Sequence, residues 1–408
     1  MNTPSHTSSN ISSNTQPLTA PAAALAETLT GDGLPAYVYD LTALDAHAQE
    51  IRAALPRHVE LYYAAKANPA PQILRALAPH ITGYEVASGG ELAHVREAVP
   101  ERPLAFGGPG KTETELRRAL ELGVERFHVE SEHELRCLAQ LADHPVDVLL
   151  RVNLPLTDEA LGGAALAMGG RPSPFGLDPD RVEHCLPLFT PHGPLRLRGI
   201  HAHLASGLDA PAQTAVAARI AAWTRELSER HGLDLTEVNV GGGMGVDYTR
   251  PDTRFDWKAY GAGLADIADQ HPGLTLRIEP GRALTAYCGW YVTEVLDLKH
   301  SRGEAFAVLR GGTHHLRTPA AKQHDHPFQV LPTSRWDRDW PRPAAHREPV
   351  TLVGQLCTPK DVLARGIPVA ELRAGDRVAF ALAGAYAWNI SHHDFLMHPK
   401  PGFHYLLE

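Results

Sequence analysis

Between about residues 58 and 280, eight short β-rich runs alternate with amphipathic helical stretches, which confines the chain to a parallel α/β architecture. The runs are Val59–Ala65, Tyr84–Ala87, Pro103–Phe106, Arg126–Val129, Val146–Val152, Leu197–Leu204, Glu237–Val240 and Leu274–Ile278. Helical patterns fill most gaps, at Pro71–Leu77, Gly90–Ala98, Glu113–Leu122, Glu132–Leu141, Pro211–Arg230 and Trp257–Gln270. Eight strand–helix units over this length favour a (β/α)8 barrel over an open sheet. The fifth gap is longer, carries Gly162-Gly163 and Gly169-Gly170, and reads in part as a mobile loop.

After Arg282 the texture changes. Leu284–Leu298, Ala305–Arg310, Pro349–Val353 and Asp376–Ala381 read as strands separated by turns. We therefore expect a barrel over residues 46–282 and a mainly β domain over 283–408. A segment at 25–45, with the alternating Ala36-Tyr37-Val38-Tyr39, joins the β domain, and residues 1–24 form a disordered tail. Two domains suit 408 residues, more than one core usually supports.

Bulk properties exclude several classes. A formal charge of −9 argues against nucleic-acid binding, and no apolar run is long enough to cross a bilayer. The N-terminus lacks the pattern of a secretion or mitochondrial signal, so a cytoplasmic protein is expected. Cys137, Cys185, Cys288 and Cys357 lie far apart without metal-ligand spacing, which suits a reducing compartment. His314-His315 and His324-Asp325-His326 also lack zinc-type spacing, and no metal is expected.

The chemistry-bearing residues fall at the ends of the predicted strands. Lys66 ends the first run, Glu85 and Ser88 follow the second, and His203 lies in the sixth. Gly241-Gly242-Gly243 follows the seventh and Glu279-Pro280-Gly281-Arg282 the eighth. In a (β/α)8 barrel these ends open on one face. A partly desolvated lysine is a nucleophilic amine. Consecutive glycines leave backbone N–H groups clear to surround a phosphate, with Gly281, the Arg282 guanidinium and the Ser206 hydroxyl completing the cradle. A carboxylate such as Glu279 against a pyridine nitrogen keeps that nitrogen protonated and the ring electron-withdrawing. Together these are the parts that hold pyridoxal 5'-phosphate. Singly, each has a plainer meaning: a surface lysine, a turn, or a Glu279–Arg282 ion pair. His201 and His203 share one strand face, and His201 reads equally as a core histidine.

Six ordered motifs carry a resemblance: Tyr63-Ala64-Ala65-Lys66-Ala67-Asn68, Glu85-Val86-Ala87-Ser88-Gly89-Gly90-Glu91-Leu92, His201-Ala202-His203-Leu204-Ala205-Ser206-Gly207, Gly241-Gly242-Gly243, Glu279-Pro280-Gly281-Arg282 and Gly384-Ala385-Tyr386. From about residue 35 onward the chain resembles the fold-type III pyridoxal-phosphate decarboxylases, which include diaminopimelate, ornithine and arginine decarboxylases. The resemblance implies that Lys66 bonds the cofactor, His203 stacks on its ring, Tyr386 reaches its phosphate, and Glu85 and Ser88 belong to its site. It also implies a homodimer, in which Cys357 enters the opposite subunit's active site and protonates the substrate. Glu85 stands where aspartate is more usual. Glu279 stands where racemases of this fold carry arginine, which favours decarboxylation.

The segment Gly354-Gln355-Leu356-Cys357-Thr358-Pro359-Lys360-Asp361 departs from the family pattern, in which an acidic residue follows the cysteine. Thr358 and Lys360 remove a negative charge and add a positive one, disfavouring a distal ammonium and favouring a carboxylate. Asp361, Arg310 and His314 join Thr358 and Lys360 as expected substrate contacts, with Arg317 and Lys322 nearby. With Gly311-Gly312-Thr313-His314-His315 and Trp388-Asn389-Ile390-Ser391-His392-His393-Asp394, this variant resembles a siderophore-biosynthesis subgroup. Its members act on citryl-amino acids such as citryl-diaminopropionate or citryl-serine. The competing readings are a basic amino acid or diaminopimelate decarboxylase, a racemase, and an inactive regulatory homologue.

Overall fold

A computed structural model describes residues 15–155, 166–167, 169–317 and 324–407. The chain forms two compact units: Leu44–Val246 with Phe255–Leu284, and the N-terminal residues to Ala43 with Asp247–Arg254 and Thr285–Glu408. In chain order the first strand, β1 (Ala36–Asp40), belongs to the second unit.

The barrel unit follows. Its strands are β2 (Glu60–Ala64), β3 (Gly83–Val86), β4 (Leu104–Phe106), β5 (Arg126–Val129), β6 (Val146–Arg151), β8 (Leu195–His201), β10 (Glu237–Asn239) and β11 (Thr275–Ile278). They close in the order β10-β11-β2-β3-β4-β5-β6-β8, and every pair is parallel. Two short strands stand apart from the closed sheet: β7 (Leu166–Ala167) pairs antiparallel with β9 (Ala205–Ser206). Side-chain caps start several helices, as at Thr112, whose hydroxyl and Glu115 form a reciprocal capping box ahead of Glu113–Glu121.

Alternation along each strand sorts the inward residues into layers. At the strand starts, Arg126 binds Glu237 at 2.6 Å and Asp147 at 3.1 Å, and the Arg277 guanidinium lies 4.2 Å from the Tyr62 ring centroid. This charged cluster fills the N-terminal end of the barrel. Two residues beyond Arg126, Glu237 and Arg277 stand His128, Asn239 and Glu279, with His201 of β8 paired to Asn239.

In the β unit the sheet runs β14-β17-β12-β13-β15-β16, where β12 is Gly289–Ser301, β13 Glu304–Leu309, β14 Phe328–Leu331, β15 Ala344–Val353, β16 Val362–Arg373 and β17 Arg377–Phe380. β1 pairs antiparallel with β12 and parallel with β18 (Gly402–Leu406).

Several expectations change. Residues 20–24, expected in a disordered tail, begin the helix Ala20–Thr28, which buries Ala22 and Ala26. Before it, the Gln16 side-chain amide already donates to the Tyr287 carbonyl at 2.7 Å. Residues 1–14, Gly162-Gly163 and Lys322 lie outside the described residues. Asp247–Arg254 clusters with the β unit, although it lies within the sequence span assigned to the barrel. The expected strand at Leu284–Leu298 begins only at Gly289, because Arg282–Thr285 and Ala286–Cys288 form helical turns.

Candidate active site

Lys66 sits in a single 3-10 turn, Ala65–Ala67, immediately after β2. Its ammonium donates to Glu85 Oε2 at 2.6 Å, and its side chain stays 45% exposed, so the amine is anchored yet reachable. Glu85, at the end of β3, is buried. Burial lifts its carboxyl above the usual range, the Lys66 charge pulls it back, and the Glu279 charge pushes it up again.

His203 follows β8. Its Nδ1 accepts the Gly242 N–H at 3.2 Å, which places the ring proton on Nε2, 3.4 Å from Ser206 Oγ. Burial first, then the Arg151 and Lys66 charges, brings its pKa down to about 4, so the ring is neutral at pH 7.

The glycine run has a physical reason that the sequence did not disclose. A Cβ on Gly241 would lie 2.8 Å from the His203 ring, one on Gly242 2.6 Å from the Glu279 carbonyl, and one on Gly243 2.3 Å from the Ala205 carbonyl. Gly241 and Gly243 also have φ of +69° and +105°. The glycines are therefore fixed by the close approach of neighbouring strand ends. Two of the three amides are already taken, Gly241 N–H by Asn239 Oδ1 at 2.9 Å and Gly242 N–H by His203. Among the described residues, only the Gly243 N–H of the three has no protein acceptor.

Glu279 follows β11. Its Oε1 accepts the Asn239 amide at 2.6 Å, and its Oε2 lies 3.3 Å from His201 Nε2. His128 and His201 stack with centroids 4.2 Å apart and planes 7° from parallel. These two histidines and Glu279 bring one ligand atom each within 4.8 Å of one another. Stacked imidazoles nevertheless aim their lone pairs along parallel planes, and a single ion cannot lie in both, so the trio is a poor metal site.

Arg151, at the end of β6, was not foreseen. It donates to Glu130 Oε1 at 2.7 Å, and the same carboxylate accepts the Gly108 and Gly176 amides. The Arg151 guanidinium lies 5.0 Å from the Phe175 ring centroid. Asn153 accepts the Gly170 N–H and donates to the Arg171 carbonyl. The end of the long gap is thus pinned to the barrel mouth from residue 169 onward. His128, Asn239 and Arg151 carry no motif; inward alternation on their strands was the only available signal.

The remaining expected residues are placed as follows. Ser88, an expected cofactor contact, is the N-cap of the helix Gly89–Ala98, its Oγ accepting the Glu91 N–H at 3.1 Å. Gly281 and Arg282 join β11 to the turn that ends the barrel unit. Asp361 is buried in the β unit and fully engaged: Oδ1 accepts the Thr313 N–H and hydroxyl, and Oδ2 the Leu356 N–H. It braces the Cys357 segment to the Gly311–His315 turn. Arg310 is paired with Glu294 at 3.2 Å. His314 is buried beside His315, ring centroids 3.9 Å apart. Cys357 and Lys360 are exposed, with Thr358 half-buried between them. Tyr386, also in the β unit, has φ of +47°. All four cysteines are free thiols.

The arrangement fits pyridoxal phosphate. An anchored amine, a backbone N–H left for an anion, and a carboxylate held by an amide meet at one barrel mouth, where a Cβ on the glycines has no room. Comparisons agree. The pyridoxal binding domain of the pyridoxal-dependent decarboxylases matches residues 41–286. The 2-[(L-alanin-3-ylcarbamoyl)methyl]-2-hydroxybutanedioate decarboxylase of Staphylococcus aureus is 40% identical, over 91% of this chain and 94% of its own. Diaminopimelate decarboxylase of Vibrio cholerae is 32% identical, over 92% and 88%. The crystal structure of Helicobacter pylori diaminopimelate decarboxylase with L-lysine superposes with a TM-score of 0.81 at 25% identity, covering 94% and 93%. No helix among the described residues is long and apolar enough to cross a membrane.

Proposed function

The chain belongs to the pyridoxal-dependent decarboxylases, and we propose that it removes the α-carboxylate of a citryl-amino acid, of the diaminopropionate or serine type, in siderophore biosynthesis. Bound pyridoxal phosphate supplies an electron sink for the pair left behind as CO2 departs. Lys66 holds the cofactor through its amine, oriented by Glu85. Glu279 keeps a proton on the ring nitrogen. His203, neutral and fixed by the Gly242 amide, offers the ring an uncharged surface. The Gly243 N–H, Gly281, Arg282 and Ser206 receive the phosphate. Cys357 of the partner subunit gives its proton to the substrate's α-carbon, so that CO2 is lost, a proton is gained and an amine is released. That step implies a homodimer.

The substrate reading is carried by the segment after Cys357. Thr358 leaves no carboxylate there for a distal ammonium, and exposed Lys360 offers a cation to a substrate carboxylate. Similarity to the Staphylococcus enzyme over nine-tenths of both chains supports the same reading. A diaminopimelate decarboxylase is the second reading, favoured by relatives such as the Vibrio enzyme. CO2 release from citryl-diaminopropionate and from free diaminopimelate, lysine and ornithine separates the two. We expect turnover of the conjugate alone, and equal or faster turnover of a free diamino acid would reverse the assignment. The cofactor attachment is tested separately: borohydride treatment of the loaded protein should leave a pyridoxyl label on Lys66.

A further inference from the structure

Beside Glu279 the barrel buries two imidazoles that none of these roles employs. His128 is 0% exposed and His201 4%, and their rings lie face to face. His201 Nε2 is 3.3 Å from Glu279 Oε2, but neither of its nitrogens is aligned with a hydrogen-bond partner among the described residues. Bare polar atoms in a core are costly, so a buried, unpartnered ring against a carboxylate calls for an explanation. Burial drives both imidazoles well below their ordinary pKa, and both are neutral. A neutral imidazole carries one N–H, and next to a carboxylate that proton belongs on the facing nitrogen.

We infer that His201 is a positioning residue for Glu279. Its Nε2–H faces Oε2 across 3.3 Å and attracts that oxygen by its polarity, short of an aligned hydrogen bond, while the Asn239 amide bonds Oε1 and His128 stacks on the His201 ring. The cross-strand register supports this arrangement, since Asn239 pairs with His201 on adjacent β10 and β8. A carboxylate bonded at one oxygen and faced by an N–H at the other keeps one plane and stays aimed at the neighbouring ring nitrogen. That is the condition a ring nitrogen needs to stay protonated. The inference rests on the decarboxylase reading, in which Glu279 partners that nitrogen.

His201→Phe keeps a flat ring for the stack and removes the N–H. Equilibrium dialysis of the apoprotein should show pyridoxal phosphate bound about 10-fold more weakly, the low end for losing a polar contact to a charged group. The absorbance of the bound cofactor should also titrate at lower pH than in wild type. His201→Gln, which retains a donor, should recover most of both effects. An H201F protein with wild-type affinity and titration would overturn the role, as would a folded H201Q no better than H201F. If H201F fails to fold, nitrogen-15 shifts of histidine-labelled wild type, with His201 assigned through H201Q, decide the matter: a protonated Nε2 is expected, and a protonated Nδ1 overturns it. Wild-type protein that takes no label at Lys66 would instead defeat the decarboxylase reading. Intact labelling with an unaltered H201F defeats only the role of His201.

Discussion

In the proposed reaction, Glu279 is the residue on which the direction of the chemistry turns. A glutamine there keeps the size and the bond with Asn239 but cannot hold a positive ring nitrogen. Glu279→Gln should therefore lower turnover by about 10²–10³-fold, the scale of removing one electrostatic partner of the reacting system. The protein should still fold and take the Lys66 label; CO2 release above a tenth of wild type would place the electron sink elsewhere. Cys357→Ala makes the complementary residue-scale test, because wild-type turnover and product in that variant would end its role as proton donor. Lys66, His203 and Glu279 stood out in the sequence because each sits in a motif whose neighbours are also constrained. Asn239 and His128 did not, since an inward residue of a barrel strand looks like any other core position until closure brings β5, β8, β10 and β11 together. The bracing by Asp361 was not legible either: an acid two residues past Thr-Pro resembles a binding group, and only the fold shows it turned inward onto three donors.

Among the elements, the Gly241–Gly243 turn has no room for added side chains. Gly243→Ala adds a Cβ 2.3 Å from the Ala205 carbonyl at φ +105°, where an L side chain is strained whatever the space. We expect a stability loss of about 1–3 kcal/mol for that backbone conformation alone. Denaturant unfolding should show it, and weakened pyridoxal phosphate binding should accompany it, since this amide is the one left for the phosphate. An alanine variant with unchanged stability would mean that the turn relaxes. In the β unit the turn Gly311–His315 carries a pH dependence. Burial holds His314 at about 4, and burial followed by the neighbouring His314 holds His315 at about 3, whereas both would titrate near 6.5 when unfolded. Below pH 6.5 the unfolded chain binds protons that the native rings refuse, so stability falls until the native pKa values are reached. Each such histidine contributes a slope of about 1.4 kcal/mol per pH unit between roughly 6.5 and 4. His314→Gln, neutral throughout, should flatten that fall; equal slopes in both proteins would remove His314 as a cause. The eight barrel runs were readable because buried parallel strands are short apolar stretches bounded by helical periodicity. β16 escaped because Gly366 and Pro368 interrupt its pattern, and β1 and β18 hold each other by pairing between the two ends of the chain, which no local window contains.

At the scale of the whole molecule, the barrel unit carries Lys66, Glu85, Glu279 and the glycine turn, and the β unit carries Cys357, Lys360 and Tyr386. If Cys357 serves the partner's barrel, a site needs Lys66 from one chain and Cys357 from another. Two inactive proteins then become an assay. Lys66→Ala chains lack the amine and Cys357→Ala chains the proton donor, and each homodimer carries two defective sites. After subunit exchange, every mixed dimer has one site with both defects and one with neither. Equal mixing with random pairing makes half the dimers mixed, so about a quarter of all sites, and of wild-type activity, should return, as a symmetric interface requires. Equilibrium sedimentation of the mixture should show dimers throughout. Activity that stays at the level of the separate variants, in a mixture shown to have exchanged, would place the lysine and the cysteine of each site on one chain. Active monomers would remove the reason for a shared site altogether.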